Sequence, residues 1–303
     1  MQARLDVDAA LRRVISVVTS RDQGIGNPEF AESIIACARS LLRDVIQCGS
    51  QPVEPALEQY IQDFCGFVLQ DFPAVLRRPF RKMSLKRAFE EGNQQIDAAY
   101  EYQDAWAATW LFALRPSFFV DVGSRVCFVV IVSRVIRCIA IDARPTPLRM
   151  DNLEYRVGEG QRLPFENESV PALTCLNAVE HFGLGRYGDT VDNAGWVKAF
   201  AEFRRVVMPG GWLFVSTPVW RMPTIAFHVQ HIFDPEIIKG QFSGWGLHDE
   251  QFLCPEPVPH EEYLRRTAPG EGYGTYCALF HKPERDGVRS AARMADMNPP
   301  KPE

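Results

Sequence analysis

Phe118-Phe119-Val120-Asp121-Val122-Gly123-Ser124 decides the fold of this chain, together with Cys138-Ile139-Ala140-Ile141-Asp142 some way downstream. The first apolar strand runs into Asp-x-Gly, and the second ends in a carboxylate. That order is how a parallel α/β sheet presents a nucleoside: the glycine lets the backbone approach the ligand, and the second acid accepts hydrogen bonds from ribose hydroxyls. The turn departs from its usual form, because Arg125 and Cys127 stand where further glycines are expected. Side chains there narrow the space that glycine leaves open. Arg125 would help a ligand by pairing with an anionic group or hinder it by repelling a cation. Two like charges about 4 Å apart cost about 1 kcal/mol in water, and more in a drier pocket.

Working outward, the chain from Phe118 alternates strands with helices. Apolar runs predict strands at Phe118–Val122, Arg137–Ile141, Leu153–Val157, Ala172–Leu176, Trp212–Thr217 and Tyr276–His281. A helix is predicted over Asp192–Val207, with Asp192 as its cap and Trp196, Phe200, Phe203 and Val207 as one apolar stripe. Pro209-Gly210-Gly211 should stop it. This order predicts an α/β, Rossmann-like, doubly wound and mainly parallel sheet with ligands at the strand carboxyl ends. Residues 1–114 read instead as a helical extension. Leu11-Val14-Ile15-Val18 and Ile34-Ile35-Ala38-Leu41-Leu42-Val45-Ile46 repeat at intervals of three and four. Further helices are expected over Pro55–Gln70 and Gln94–Leu114, with Gly49–Pro55 as a loop. The expected domains are therefore 1–114, a helical extension or cap; 115–282, the sheet domain; and 283–303, a polar, Pro-rich mobile tail.

Composition removes several function classes. A net charge of −5 argues against a general nucleic-acid binder. Eight cysteines without CxxC spacing suit buried thiols in a reducing compartment better than a disulfide framework or a zinc site. The longest apolar run, Val126–Ile136, is broken by Ser133 and Arg134 and is too short for a membrane span. The N-terminus lacks a signal-peptide core, so a soluble cytoplasmic protein is expected. His228 and His231 would share a metal if they lay on a helix, but no third ligand accompanies them. They fit better as pocket lining, or as a cap for the helix starting at Asp234-Pro235-Glu236, and no metal is expected. Arg77-Arg78-Pro79-Phe80-Arg81-Lys82 with Lys86-Arg87 reads as a solvated helix face, with contact to a phosphate as the sharper alternative. Oligomeric state leaves no mark in the sequence.

Several pieces then follow in one order: Val120-Asp121-Val122-Gly123, Ile141-Asp142, Gly158-Glu159-Gly160-Gln161-Arg162-Leu163-Pro164-Phe165, Asn177-Ala178-Val179-Glu180-His181 and Met208-Pro209-Gly210-Gly211-Trp212-Leu213. Together they resemble the class I S-adenosylmethionine-dependent methyltransferases over residues 115–282. The stretch Cys175–Asp189, containing Val-Glu-His-x-Gly-Leu-Gly-Arg-Tyr-Gly-Asp, together with Ile141-Asp142-Ala143-Arg144-Pro145, is similar to an uncharacterised branch of that superfamily. The resemblance implies a seven-stranded-type methyltransferase sheet and S-adenosylmethionine as cofactor. It places Asp121 and Gly123 beside the methionine end, Asp142 on the ribose and Glu159 on the adenine amino group. Ionised carboxylates accept only, and each would face donors there.

The loop after the fourth strand should meet the methyl acceptor. Glu180 and His181 are its candidate catalytic groups, and Arg186, Tyr187 and Asp189 its candidate substrate contacts, with Asp192 close behind and Gly183, Gly185 and Gly188 as pivots. Plainer readings compete: Asp121 fastening its own turn, Asp142 as an ordinary strand-end acid, His181 ordering its loop. The function implied is methyl transfer to a small-molecule or glycan-type acceptor. The alternative is a catalytically degenerate binding or scaffold module, favoured by Arg125 and Cys127. Nicotinamide-dependent oxidoreduction fits worst, since only Gly123 survives of G-x-G-x-x-G.

Overall fold

The computed structural model describes residues 2–25, 28–47, 55–70, 79–82, 97–144, 146–268 and 272–285. In chain order the elements are α1 (Gln2–Ile25), α2 (Pro28–Gln47), α3 (Pro55–Val68), β1 (Phe80–Lys82), α4 (Ala98–Leu114), β2 (Phe119–Val122), α5 (Val126–Val132), β3 (Cys138–Asp142), β4 (Leu153–Val157) and β5 (Val170–Leu176). They continue with α6 (Gly195–Val206), β6 (Val207–Val219), β7 (Thr224–Phe227), β8 (Gln230–Ile232), α7 (Pro235–Gln241), β9 (Gly246–Leu253), β10 (Pro257–Val258), α8 (His260–Arg266) and β11 (Gly274–His281).

These elements form two compact units that are not contiguous in sequence. One comprises Met1–Gln94, Glu180–Trp196 and Met222–Phe233; the other Gln95–Val179, Val197–Arg221 and Asp234–Glu303. This differs from a division after residue 114. Helix α4 goes with the sheet, and two later stretches return to the helical unit.

In the helical unit, the predicted three-and-four spacing buries one face of each helix. Leu11 and Val14, Ile34 and Leu41, and Ile61 and Phe64 share a core. A three-stranded sheet ordered β1-β7-β8 completes it, with β1 parallel to β7 and β7 antiparallel to β8. Phe80 of β1 and Phe227 of β7 pack against Phe64 and Phe67 of α3. Arg81 and Lys82, expected on a helix face, lie in β1; the rest of that basic run apart from Pro79 and Phe80 falls outside the described residues. The same is true of loop 49–54 and of tail residues 286–303.

The sheet unit has eight strands ordered β10-β9-β11-β6-β5-β2-β3-β4. Strands β4, β3, β2, β5 and β6 run parallel, while β11 enters antiparallel between β6 and β9. Chain order reverses at β2 and β5, the switch point where open α/β sheets bind ligands. Each predicted strand is present, β4 with the predicted bounds and the others with one or both ends shifted. Helix α6 starts at Gly195, and Asp192 accepts from the Ala194 amide just before it. The helix gives way to β6 at Val207, so Pro209-Gly210-Gly211 lies inside a strand rather than ending the helix. Beneath the sheet, Trp106, Trp110 and Leu111 of α4 share a core with Phe119, Phe128 and Phe214. Both tryptophan Nε1 groups donate to Asp249 Oδ2, at 2.8 and 2.7 Å. Among the described residues no helix is long and apolar enough to cross a membrane.

Candidate functional site

Gly123 leaves β2 at φ +73°, and its amide donates to the Ile141 carbonyl at 3.0 Å, joining the ends of β2 and β3. A Cβ here would lie 3.0 Å from the Ala178 Cβ, so the position is short of room as well as left-handed. Asp121 is buried beneath this turn. Thr174 donates to its Oδ1 at 2.6 Å and the Ser124 amide to its Oδ2 at 3.1 Å. Burial pushes this carboxyl up to about 7, although both donors pull it down. Asp121 therefore fastens its own turn, the plainer of its two readings. Ser124 Oγ accepts from the Leu176 amide at 3.0 Å and ties the turn to the end of β5.

Arg125 turns toward α4. Its Nη1 donates to Glu101 at 2.9 Å, its Nη2 and Nε to Asp104 Oδ2 at 2.7 and 3.1 Å, and its guanidinium lies 5.0 Å from the centre of the Tyr100 ring. Its φ of −60° needs no glycine. One guanidinium thus faces two carboxylates, and the turn presents no bare positive charge. Burial raises the Asp104 carboxyl, and Arg125 limits the rise. Fully buried Gln103 extends the network: its Nε2 donates to Asp104 at 3.3 Å, and its Oε1 accepts from Ser216 Oγ at 2.6 Å. Ser216 Oγ in turn accepts from the Asn177 amide at 3.0 Å. Helix α4 is therefore wired to both sides of the switch point. Cys127 is an exposed thiol in the first turn of α5.

Asp142 ends β3, and the Gly158 amide donates to its carbonyl at 3.1 Å, which aligns the ends of β3 and β4. Its carboxylate is engaged by Arg144: the amide and Nε donate to Oδ1 at 2.8 and 3.0 Å, and Nη2 to Oδ2 at 2.8 Å. Glu159 follows β4 and is half-buried. Asn177 follows β5 at φ +45°, and its side-chain Oδ1 is buried with no hydrogen-bond donor among the described residues.

Val179–His181 forms a 3-10 turn, and Glu180 and His181, both of the helical unit, are buried. His181 Nδ1 lies 2.6 Å from the Val229 carbonyl, which can only accept, so Nδ1 carries the proton. Its Nε2 lies 3.8 Å from Glu180 Oε1. Arg186 Nη1 donates to the same carbonyl at 2.9 Å. The Tyr187 ring stands edge-on to His181, with centroids 5.4 Å apart. Asp189 accepts from the amides of Gly183 and Tyr187 at 3.0 and 3.2 Å and orders the loop. The Val229 carbonyl belongs to the β7–β8 turn, which α3 fixes from behind: Tyr60 donates to the Phe227 carbonyl at 2.8 Å, and His228 Nε2 meets Asp63 Oδ2 at 2.7 Å.

The structure thus brings Asp121, Gly123, Asp142 and Glu159 to the carboxyl ends of adjacent strands in one unit. Glu180, His181, Arg186, Tyr187 and Asp189 are brought together in the other. His228 and His231 lie on a hairpin, with His228 at φ +52°, so they are not a helical metal pair; no metal-holding cluster occurs among the described residues. Asp234, not these histidines, caps α7, accepting from the Glu236 amide at 2.8 Å. Sequence reasoning missed Glu101, Gln103, Asp104, Arg144, Asp63 and the Val229 carbonyl. Glu101 and Asp104, three apart on one face of the helix leading into the sheet, were the available signal.

Residues 120–215 match the methyltransferase domain family. Among solved structures, the chain is similar to the [4+2]-cyclase SpnF (17% identity, TM-score 0.43, covering 60% of this chain and 82% of that one). It is also similar to the Burkholderia thailandensis 1,6-didemethyltoxoflavin-N1-methyltransferase with bound 1,6-didemethyltoxoflavin and S-adenosylhomocysteine (15%, 0.46, 62% and 80%). A third is the geranyl diphosphate C-methyltransferase from Streptomyces coelicolor A3(2) (17%, 0.42, 65% and 86%). Comparison with curated protein sequences gives no match. The switch-point sheet is an open, mainly parallel α/β sheet, consistent with the methyltransferase-domain match over residues 120–215. This family match is confined to residues 120–215 of the 303-residue chain.

Proposed function

We propose that the protein binds S-adenosylmethionine at the strand ends of its sheet unit and methylates a small-molecule or glycan-type acceptor. The observation that carries this reading is Asp142 at the end of β3, beside the Gly123 turn of β2 and followed across β4 by Glu159. These neighbouring strand ends offer a close backbone approach, an acceptor for ribose hydroxyls and an acceptor for an adenine amino group. Asn177 Oδ1 adds a buried acceptor suited to a cationic group. Bound S-adenosylmethionine supplies an electrophilic methyl group on a cationic sulfur, so the protein's contribution is chiefly orientation.

The acceptor residues are assigned to the loop after β5. His181, its Nδ1 anchored on the Val229 carbonyl, is set to take the acceptor's proton at Nε2, with Glu180 Oε1 nearby to stabilise the imidazolium. Arg186 and Tyr187 are assigned to acceptor contact. Asp189, engaged by two amides, is assigned to loop order. The seven cysteines of the described residues are free thiols, which supports a cytoplasmic location.

Isothermal titration with S-adenosylhomocysteine tests the reading. Wild type should bind, and Asp142→Ala should lose at least about tenfold in affinity, or about 1.4 kcal/mol. No heat at millimolar ligand overturns it. A second reading, a degenerate binding module, draws on the Arg144 guanidinium that already engages Asp142.

A further inference from the structure

Arg186 is a half-buried cation held by neutral groups. Its Nη1 donates to the Val229 carbonyl at 2.9 Å, and its guanidinium lies 5.3 Å from the centre of the Tyr187 ring. Among the described residues, no carboxylate lies within ion-pair distance of it, and this one carbonyl is its hydrogen-bond acceptor. A guanidinium has five N–H donors, and leaving them short of acceptors in a partly desolvated place is costly.

The neighbouring acids are committed elsewhere. Asp189 accepts from the Gly183 and Tyr187 amides, and Asp192 from the Ala194 amide. Asp63, whose carboxylate would stand 3.6 Å from a Cβ on Gly185, meets His228 Nε2 at 2.7 Å and accepts from Gln59 at 2.9 Å. Glu180 lies on the far side of the His181 ring, 3.8 Å from Nε2.

Position adds to charge. His181 and Arg186 share one acceptor oxygen, so the same carbonyl sets the imidazole and the guanidinium side by side. Tyr187, 40% exposed, offers an aromatic face next to both. A guanidinium beside an aromatic ring and an imidazole suits a hydroxylated molecule with one apolar face and one anionic group.

We propose that Arg186 reads an anionic group, carboxylate or phosphate, on a hydroxylated acceptor stacked on Tyr187 with its hydroxyl toward His181. The proposal rests on the methyltransferase reading and adds the charge of the substrate to it.

The test uses the full chain, saturated with S-adenosylhomocysteine, and three probes: methyl glucuronoside, glucose 1-phosphate and neutral methyl glucoside. Titration followed by protein NMR should show at least tenfold tighter binding of an anionic probe than of the neutral one. The better of the two anions identifies carboxylate or phosphate as the group read. Arg186→Gln should remove that tenfold preference, while Arg186→Lys keeps most of it because the charge stays. Equal binding of charged and neutral probes, no binding of either anion at 100 mM, or an unchanged preference in Arg186→Gln overturns the proposal. So does loss of the preference in both variants together with a lowered Tm, which would mark Arg186 as a loop brace. S-adenosylhomocysteine binding, measured separately in every sample, keeps the two failures distinct. If it is present, only the anion proposal falls; if it is absent, the methyltransferase reading falls.

Discussion

The turn after β2 and the loop after β5 both depend on glycine in a left-handed conformation, at φ +73° for Gly123 and +82° for Gly183, yet for different reasons. At Gly123 the nearest obstacle to a Cβ is another side chain, the Ala178 Cβ at 3.0 Å. At Gly183 the obstacle is backbone: the Asp192 carbonyl oxygen would lie 1.8 Å away, and Gly195 packs its own backbone against the same spot. The first glycine serves a turn whose neighbour can shift. The second closes a loop onto itself. Gly183→Ala should therefore destabilise the helical unit by about 3 kcal/mol or more, since neither backbone segment can give way. Gly123→Ala should cost about 1–2 kcal/mol, the ordinary penalty for alanine in left-handed geometry plus a small shift. Denaturant unfolding of the two variants measures the contrast, and equal losses would dissolve it.

The acids of the two regions differ as well. Asp189 of the loop bonds to amides while half exposed, whereas Asp121 is buried and its carboxyl is pushed up to about 7. A folded-state value above the unfolded one of about 4 means that the native protein holds this proton more tightly. The stabilisation from that proton is complete below pH 4 and is lost as pH rises to 7. A shift of this size corresponds to about 4 kcal/mol across the window. Asp121→Asn should flatten the decline in stability between pH 4 and 7, although the amide cannot reproduce both hydrogen bonds. Unfolding free energies of wild type and variant at half-unit intervals would show it. Parallel curves would mean that Asp121 is ionised throughout.

How far each region was legible follows from how it is built. Strands β2 to β6 and β11 and the turn at Gly123 rest on local apolar runs and a short motif, so the strand-end positions of Asp121, Gly123, Asp142 and Glu159 were legible in the sequence. Strand β1 is short and defined by a distant partner, as in the pairing of Phe80 with Ile225; β7, β8 and β10 are two to four residues long, and β9 is polar over most of its length, so no local apolar pattern announces them. The direction of Arg125 depended on Glu101 and Asp104, more than twenty positions upstream. In the loop, residue types pointed to Glu180, His181 and Arg186, but the carbonyl that positions two of them belongs to Val229 and carries no side-chain signal at all.

Whether the strand end proposed for the nucleoside is accessible in the resting protein turns on one exposed ion pair. Arg144 engages both oxygens of Asp142, the acid assigned to the ribose, but its own side chain is 55% exposed. Such a pair is screened and contributes no more than about 1 kcal/mol. A carboxylate also keeps acceptor positions beyond those Arg144 uses, so the guanidinium need not leave completely. If it competes with the ribose, Arg144→Ala should tighten S-adenosylhomocysteine binding by about two- to fivefold, with the gain reduced in high salt. If Arg144 instead orients Asp142 for the ligand, the same variant should weaken binding by a similar factor. Titration of the variant at low and high salt separates a gate from a brace, and a gain of a hundredfold or more would favour the degenerate-module reading, in which the native contact blocks the site.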